Sequence, residues 1–165
     1  MVTKKRVIAA VAALACLWGV WYFFPTRTRQ VKRRFKAFAS SISKDGPEGN
    51  LAQLQQAAGA AEFFADPCAF ESEYYHLTGS FSSREISGYC FEGRSRMKSL
   101  HLRFYDLSIK FPQKDTALVE ATVRLTGKTK EGDDVAETHE ITCTLKKSEG
   151  EWRFTRIKLV EVLKK

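Results

Sequence analysis

Residues 116–125 read TALVEATVRL, and this stretch decides the fold. Ala117, Val119, Ala121, Val123 and Leu125 alternate with Glu120, Thr122 and Arg124. A period of two with one apolar side is the pattern of a strand with one face on a core. The same period continues downstream. It runs from Val135 to Lys147, and again from Trp152 to Val162 after a Ser148-Glu149-Gly150 turn. Upstream, Leu100 to Phe111 alternates with a change of phase between Phe104 and Leu107, which predicts a bulge near Tyr105-Asp106. Four such runs joined by short polar turns predict an antiparallel meander.

The residues before the meander read differently. Val31, Phe35, Phe38 and Ile42 recur at spacings of four, three and four, one stripe of a helix that stops at Lys44-Asp45-Gly46-Pro47. Leu51 to Ala61 is rich in Ala and Gln and predicts a second helix. Phe63 and Phe64 are expected in the core, and Asp66-Pro67 is read as a turn. Cys68 to His76 reads as a strand with Phe70 and Tyr74 on one side, broken by Gly79. Ser82-x-x-Glu85 is a capping-box pattern and predicts a third helix to about Lys98. Its inward candidates are Ile86, Tyr89, Cys90 and Met97, with Arg94 and Arg96 on its outside.

The N-terminal region has its own character. Val7 to Phe24 is 18 residues without a charge, which as a helix would extend about 27 Å, enough for a bilayer core. Lys4, Lys5 and Arg6 precede it, aromatic residues gather at its end, and Pro25 follows. The organisation read from this is a basic tail over 1–6, a transmembrane anchor over 7–24 and a domain over 25–165. A cleaved signal peptide is the rival, since Ala13-Leu14-Ala15 fits a cleavage site, and a lipoprotein cleavage before Cys16 is a further one. The expected location is a membrane, with a single pass and the domain on the extracytoplasmic side.

The net charge of +8 is concentrated. Residues 1–36 hold nine of the 27 Lys and Arg residues and no acid, so the other 18 stand against 19 acids. The domain is near neutral, which speaks against a nucleic-acid footprint. Arg27, Arg29, Lys32, Arg33, Arg34 and Lys36 could meet anionic headgroups. Cys68, Cys90 and Cys143 have no metal-ligand spacing and read as small buried hydrophobes. No metal or other cofactor is implied.

The order of elements resembles the nuclear transport factor 2-like superfamily, also described as polyketide-cyclase-like. The resemblance spans about Arg29 to Val162. It rests on VKRRFKAFASSIS, FFADPCAFE, GSFSSREISGY, TALVEATVRLTG, ETHEITCTLKK and the closing EWRFTRIKLVEV. It implies an α+β fold, a cone-shaped curved antiparallel sheet wrapped around three helices, here preceded by one transmembrane helix. It also implies an apolar pocket at the open end of the cone, and frequent homodimers through the convex sheet face.

Glu137 and His139 are the acid/base candidates. They share the apolar face of their strand, so the two side chains sit side by side. In a dry pocket such a pair can supply a general base near neutral pH. Asp66 is a third candidate, though a residue before proline is first of all a turn former. Tyr74 and Tyr89, with Glu137 and His139, are expected at the pocket. His101 and Arg103 are expected outside, and His76 at a solvated turn. No nucleophile elbow, phosphate loop or zinc signature is present. The expected function is therefore a membrane-anchored, non-catalytic binding or assembly domain for a small apolar ligand or a protein partner. The alternative is an isomerase, dehydratase or cyclase working through the pocket.

Overall fold

The computed structural model describes residues 26–73 and 75–160. The anchor expected over Val7–Phe24 and the pocket candidate Tyr74 lie outside the described residues. Among the described residues, no helix is long and apolar enough to cross a membrane. The chain divides after Gln30, and the described residues from Val31 onward carry most of the fold described here.

Helices α1 (Arg27–Ile42) and α2 (Asn50–Ala61) come first, followed by β1 (Phe64–Ser72), β2 (Leu77–Phe81) and α3 (Ser83–Arg96). The meander follows as β3 (Met97–Gln113), β4 (Thr116–Thr129), β5 (Asp134–Ser148) and β6 (Glu151–Val160). The six strands form one sheet in the order β2-β1-β6-β5-β4-β3. The expected alternation holds in β4: Ala117, Val119 and Ala121 are buried, and Glu120 and Arg124 are exposed. The expected bulge is present too. Asp106 has φ of 54° and the β3/β4 register shifts between Tyr105 and Ser108. A second shift in β5/β6 follows Thr144. Such bulges bend and twist a sheet.

Three expectations are corrected. Asp66-Pro67 is not a turn: both residues lie inside β1, at a cis peptide bond, in the interval where β1 and β6 change register. Proline gives up no hydrogen bond in that interval, because the pairing there is already interrupted. Gly79 does not end a strand. It lies in β2, which pairs with β1 as a hairpin. The sheet is also not wholly antiparallel, since β1 runs parallel to β6.

The apolar stripe of α1 does as expected, with Val31 and Phe35 fully buried. The core is dominated by phenylalanine. Phe35 meets Phe104 and Phe154 edge-to-face at 5.0 and 5.1 Å, and Phe38 meets Phe64 at 5.2 Å. Edge-to-face pairs add about 0.5–1.5 kcal/mol each beyond burial.

Candidate functional site

Beside this aromatic core, among the described residues, lies an apolar cavity of about 290 Å³. Its position follows from local sequence. Ser82 caps α3, accepting from the Glu85 backbone N–H while the Glu85 carboxylate accepts from the Ser82 backbone N–H at 2.8 Å. The box fixes where the helix starts, and so which face carries Ile86, Tyr89 and Cys90 to the cavity. The β1–β2 hairpin supplies Phe64, Phe70, Leu77 and Phe81, and α1 supplies Phe38. Phe81 bridges the wall, meeting Phe70 and Tyr89 edge-to-face at 5.7 Å each. Tyr89 is more than half exposed and stands at the rim, while burial pushes the Cys90 thiol pKa up, against the nearby Arg94 charge. The lining contains no charged side chain.

The acid/base candidates are brought together, but elsewhere. Glu137 and His139 approach at 3.5 Å, and Tyr75, from the β1–β2 connection, donates its hydroxyl to the Glu137 carboxylate at 2.6 Å. The same hydroxyl is 3.3 Å from His139 Nε2. None of the three lines the cavity. Asp66 is exposed on β1 and joins neither group.

The basic residues of α1 divide. Arg27, Arg29, Lys32, Arg33 and Lys36 are exposed. Arg34 is turned inward, 4.1 Å over the Phe63 ring and donating to the Glu62 carbonyl at 3.0 Å, and burial lowers its pKa. Arg34 is thus a packing residue.

Arg94 also departs from expectation. It is buried rather than decorating α3, and holds Glu48 by two hydrogen bonds. The spacing Ile86, Cys90, Arg94 placed it on the inward face all along. Tyr75 and β2 were missed as well; the alternation Leu77, Gly79, Phe81 was the signal for β2.

The convex face of the sheet is mostly polar, with Leu118, Ala136 and Val160 as apolar members. Its rows include His101-Thr126, Arg103-Arg124-Thr138 and Ser108-Glu120-Thr142-Lys158 across adjacent strands. Among the described residues, no group of His, Cys, Asp and Glu could hold a metal ion.

No protein-family model matches the sequence, and no curated protein matches it. Solved structures do. A putative scytalone dehydratase from Novosphingobium aromaticivorans DSM 12444 superposes with a TM-score of 0.68 at 14% identity, covering 82% of this chain and 84% of that one. The chain has the cone fold. A type 2 hexachlorocyclohexane dehydrochlorinase superposes on it with a TM-score of 0.61 at 13% identity, over 79% of this chain and 82% of that one. A function-unknown protein from Mycobacterium tuberculosis does so with 0.58 at 19%, over 77% and 73%. The cone is thus shared by proteins named as enzymes and by proteins of unknown function, and the fold alone does not choose between them.

Proposed function

We propose that this chain is a membrane-anchored, non-catalytic binding domain whose cone takes a small, neutral, apolar ligand. The observation that carries the reading is the lining of the cavity: aromatic and aliphatic side chains with no charged group. Its volume is at the small end for ligand pockets, about 300–1,000 Å³. An anion inside would lose its hydration without compensation. The acid/base pair stands apart from the lining and is engaged by Tyr75. Anchoring rests on the uncharged run Val7–Phe24.

The test uses the full chain in a non-ionic detergent, with indole and indole-3-carboxylate as probes. Indole raises the unfolding temperature and the carboxylate does not, because only the neutral ring enters. Leu77→Trp, which fills the cavity from its exposed rim, removes the shift. Equal shifts from both probes, or none, reject the reading.

A second reading is elimination or isomerisation chemistry at Tyr75, Glu137 and His139, a phenol, carboxylate and imidazole within hydrogen-bond reach. Two of the similar folds are named as a dehydratase and a dehydrochlorinase. Under the leading reading, His139→Ala and Tyr75→Phe leave the indole shift intact. Loss of that shift in both variants would favour the second reading.

A further inference from the structure

Arg103 on β3 and Arg124 on β4 are directly opposed in the antiparallel ladder. Cross-strand neighbours stand about 5 Å apart at Cβ, and like charges in that position destabilise the pair. Both side chains are exposed on the convex face, and no ion pair among the described residues involves either. They line a depression of about 310 Å³ together with His101, Tyr105 and Thr126. Every functional group in that lining can donate a hydrogen bond, and none is a carboxylate. At one side His101 Nδ1 lies 3.7 Å from the exposed Asp45 carboxylate. The carboxylates of the same face, Asp106, Glu120 and Glu140, line a separate depression. Arg103 also borders the groove between α1 and β3, which is lined by Lys32 and Lys36 and by one carboxylate, Asp106.

We propose that Arg103 and Arg124 form an oxyanion site that binds a phosphate group. Two guanidinium forks on adjacent strands offer more donors than a carboxylate has oxygens to use. A phosphate can accept from both forks at once, with Tyr105 and Thr126 completing its shell. The bound anion turns an unfavourable cross-strand pair into a bridged one. Free phosphate and the phosphate of a lipid headgroup share this chemistry.

The test is calorimetric titration of the full chain in non-ionic detergent micelles. One arm adds inorganic phosphate; the other adds micelles doped with phosphatidic acid. Heat in the first arm alone identifies free phosphate, and heat in the second alone identifies a headgroup. Arg103→Gln and Arg124→Gln each weaken binding about tenfold or more, since each removes charge-assisted hydrogen bonds. Arg103→Lys weakens it less, keeping the charge and losing the fork. Lys110→Gln, on the same face outside the depression, leaves it unchanged. Absence of heat in both arms overturns the site, as does binding that the arginine variants do not alter. A full chain that self-associates and is dissociated by Arg124→Glu would also overturn it, assigning the arginines to carboxylates of a second copy.

Discussion

Arg94 on α3 and Glu48 in the α1–α2 connection are joined through both carboxylate oxygens, at 2.9 and 2.7 Å. Arg94 also donates to the Ser41 and Ile42 carbonyls at the end of α1, at 3.1 and 2.6 Å. One buried guanidinium thus closes a helix terminus and ties three segments together. Glu48→Ala leaves that charge with carbonyl acceptors alone and is expected to cost about 3 kcal/mol. The readout is the urea midpoint at unchanged slope. A loss well under about 1 kcal/mol would mean that solvent reaches Arg94 readily.

The α3 cap gives a pH-dependent prediction. The Ser82 backbone N–H, and then its hydroxyl, hold the Glu85 carboxyl below its usual pKa. A carboxyl with a depressed folded pKa stabilises the fold above its unfolded pKa and loses that contribution as pH falls through the folded value. Glu85→Gln is therefore less stable than the parent at neutral pH, and the two converge in acid. Unfolding temperatures across the acid range check this. Ser82→Ala removes the cap itself and costs about 1 kcal/mol at neutral pH.

Burial pushes the Cys68 and Cys143 thiols up to about 12 each. Their thiolate fraction at pH 8 is negligible, so iodoacetamide leaves both unmodified in the native chain and modifies both in denaturant. Peptide mass mapping distinguishes them from Cys16 and Cys90. The stability gained from keeping them neutral is complete below the ordinary thiol pKa and is lost as pH rises towards about 12. Native modification of either cysteine at pH 8 would contradict this burial.

Two glycines separate packing from backbone freedom. A Cβ on Gly127 in β4 would collide with the Ser99 carbonyl oxygen and stand 2.9 Å from Met97 Cε. Gly127→Ala must push β3 away and is expected to cost about 1–3 kcal/mol. A Cβ on Gly59 in α2 meets nothing within 4 Å. Gly59→Ala is expected to gain about 0.5–1 kcal/mol through helix propensity. Denaturant midpoints of the two variants should move in opposite directions.

The meander was legible because each strand has one wet and one dry face, so alternation is enforced by burial. The α1 stripe and the α3 cap were legible for the same local reasons. What was lost had local signals pointing the wrong way. Proline after Asp66 suggests a turn, and only the interrupted β1/β6 pairing shows why a strand can hold it. The glycine at 79 suggests a break, although Leu77 and Phe81 kept the strand period on either side. Charge hid Arg94, whose spacing from Ile86 and Cys90 was that of an inward residue. The pairing of Glu137 with His139 was legible from spacing two along a strand. Their separation from the cavity was not, because it depends on where the β1–β2 hairpin folds.

That hairpin has a consequence for how such a molecule can change. Half of the cavity wall comes from β1 and β2, and β2 is a five-residue edge strand paired only with β1. The meander contributes much of the deep core, where Ala117, Val119, Leu145 and Phe154 are almost wholly buried, together with Val31 and Phe35 of α1 and Cys68 of β1. Phe64 and Ile86 belong to the wall and to the core alike, whereas Leu77 and Phe81 are less buried and sit on the edge strand. Substitutions at Leu77 or Phe81 would reshape the wall while the meander stays in register, so under the proposed reading selectivity can change without rebuilding the frame.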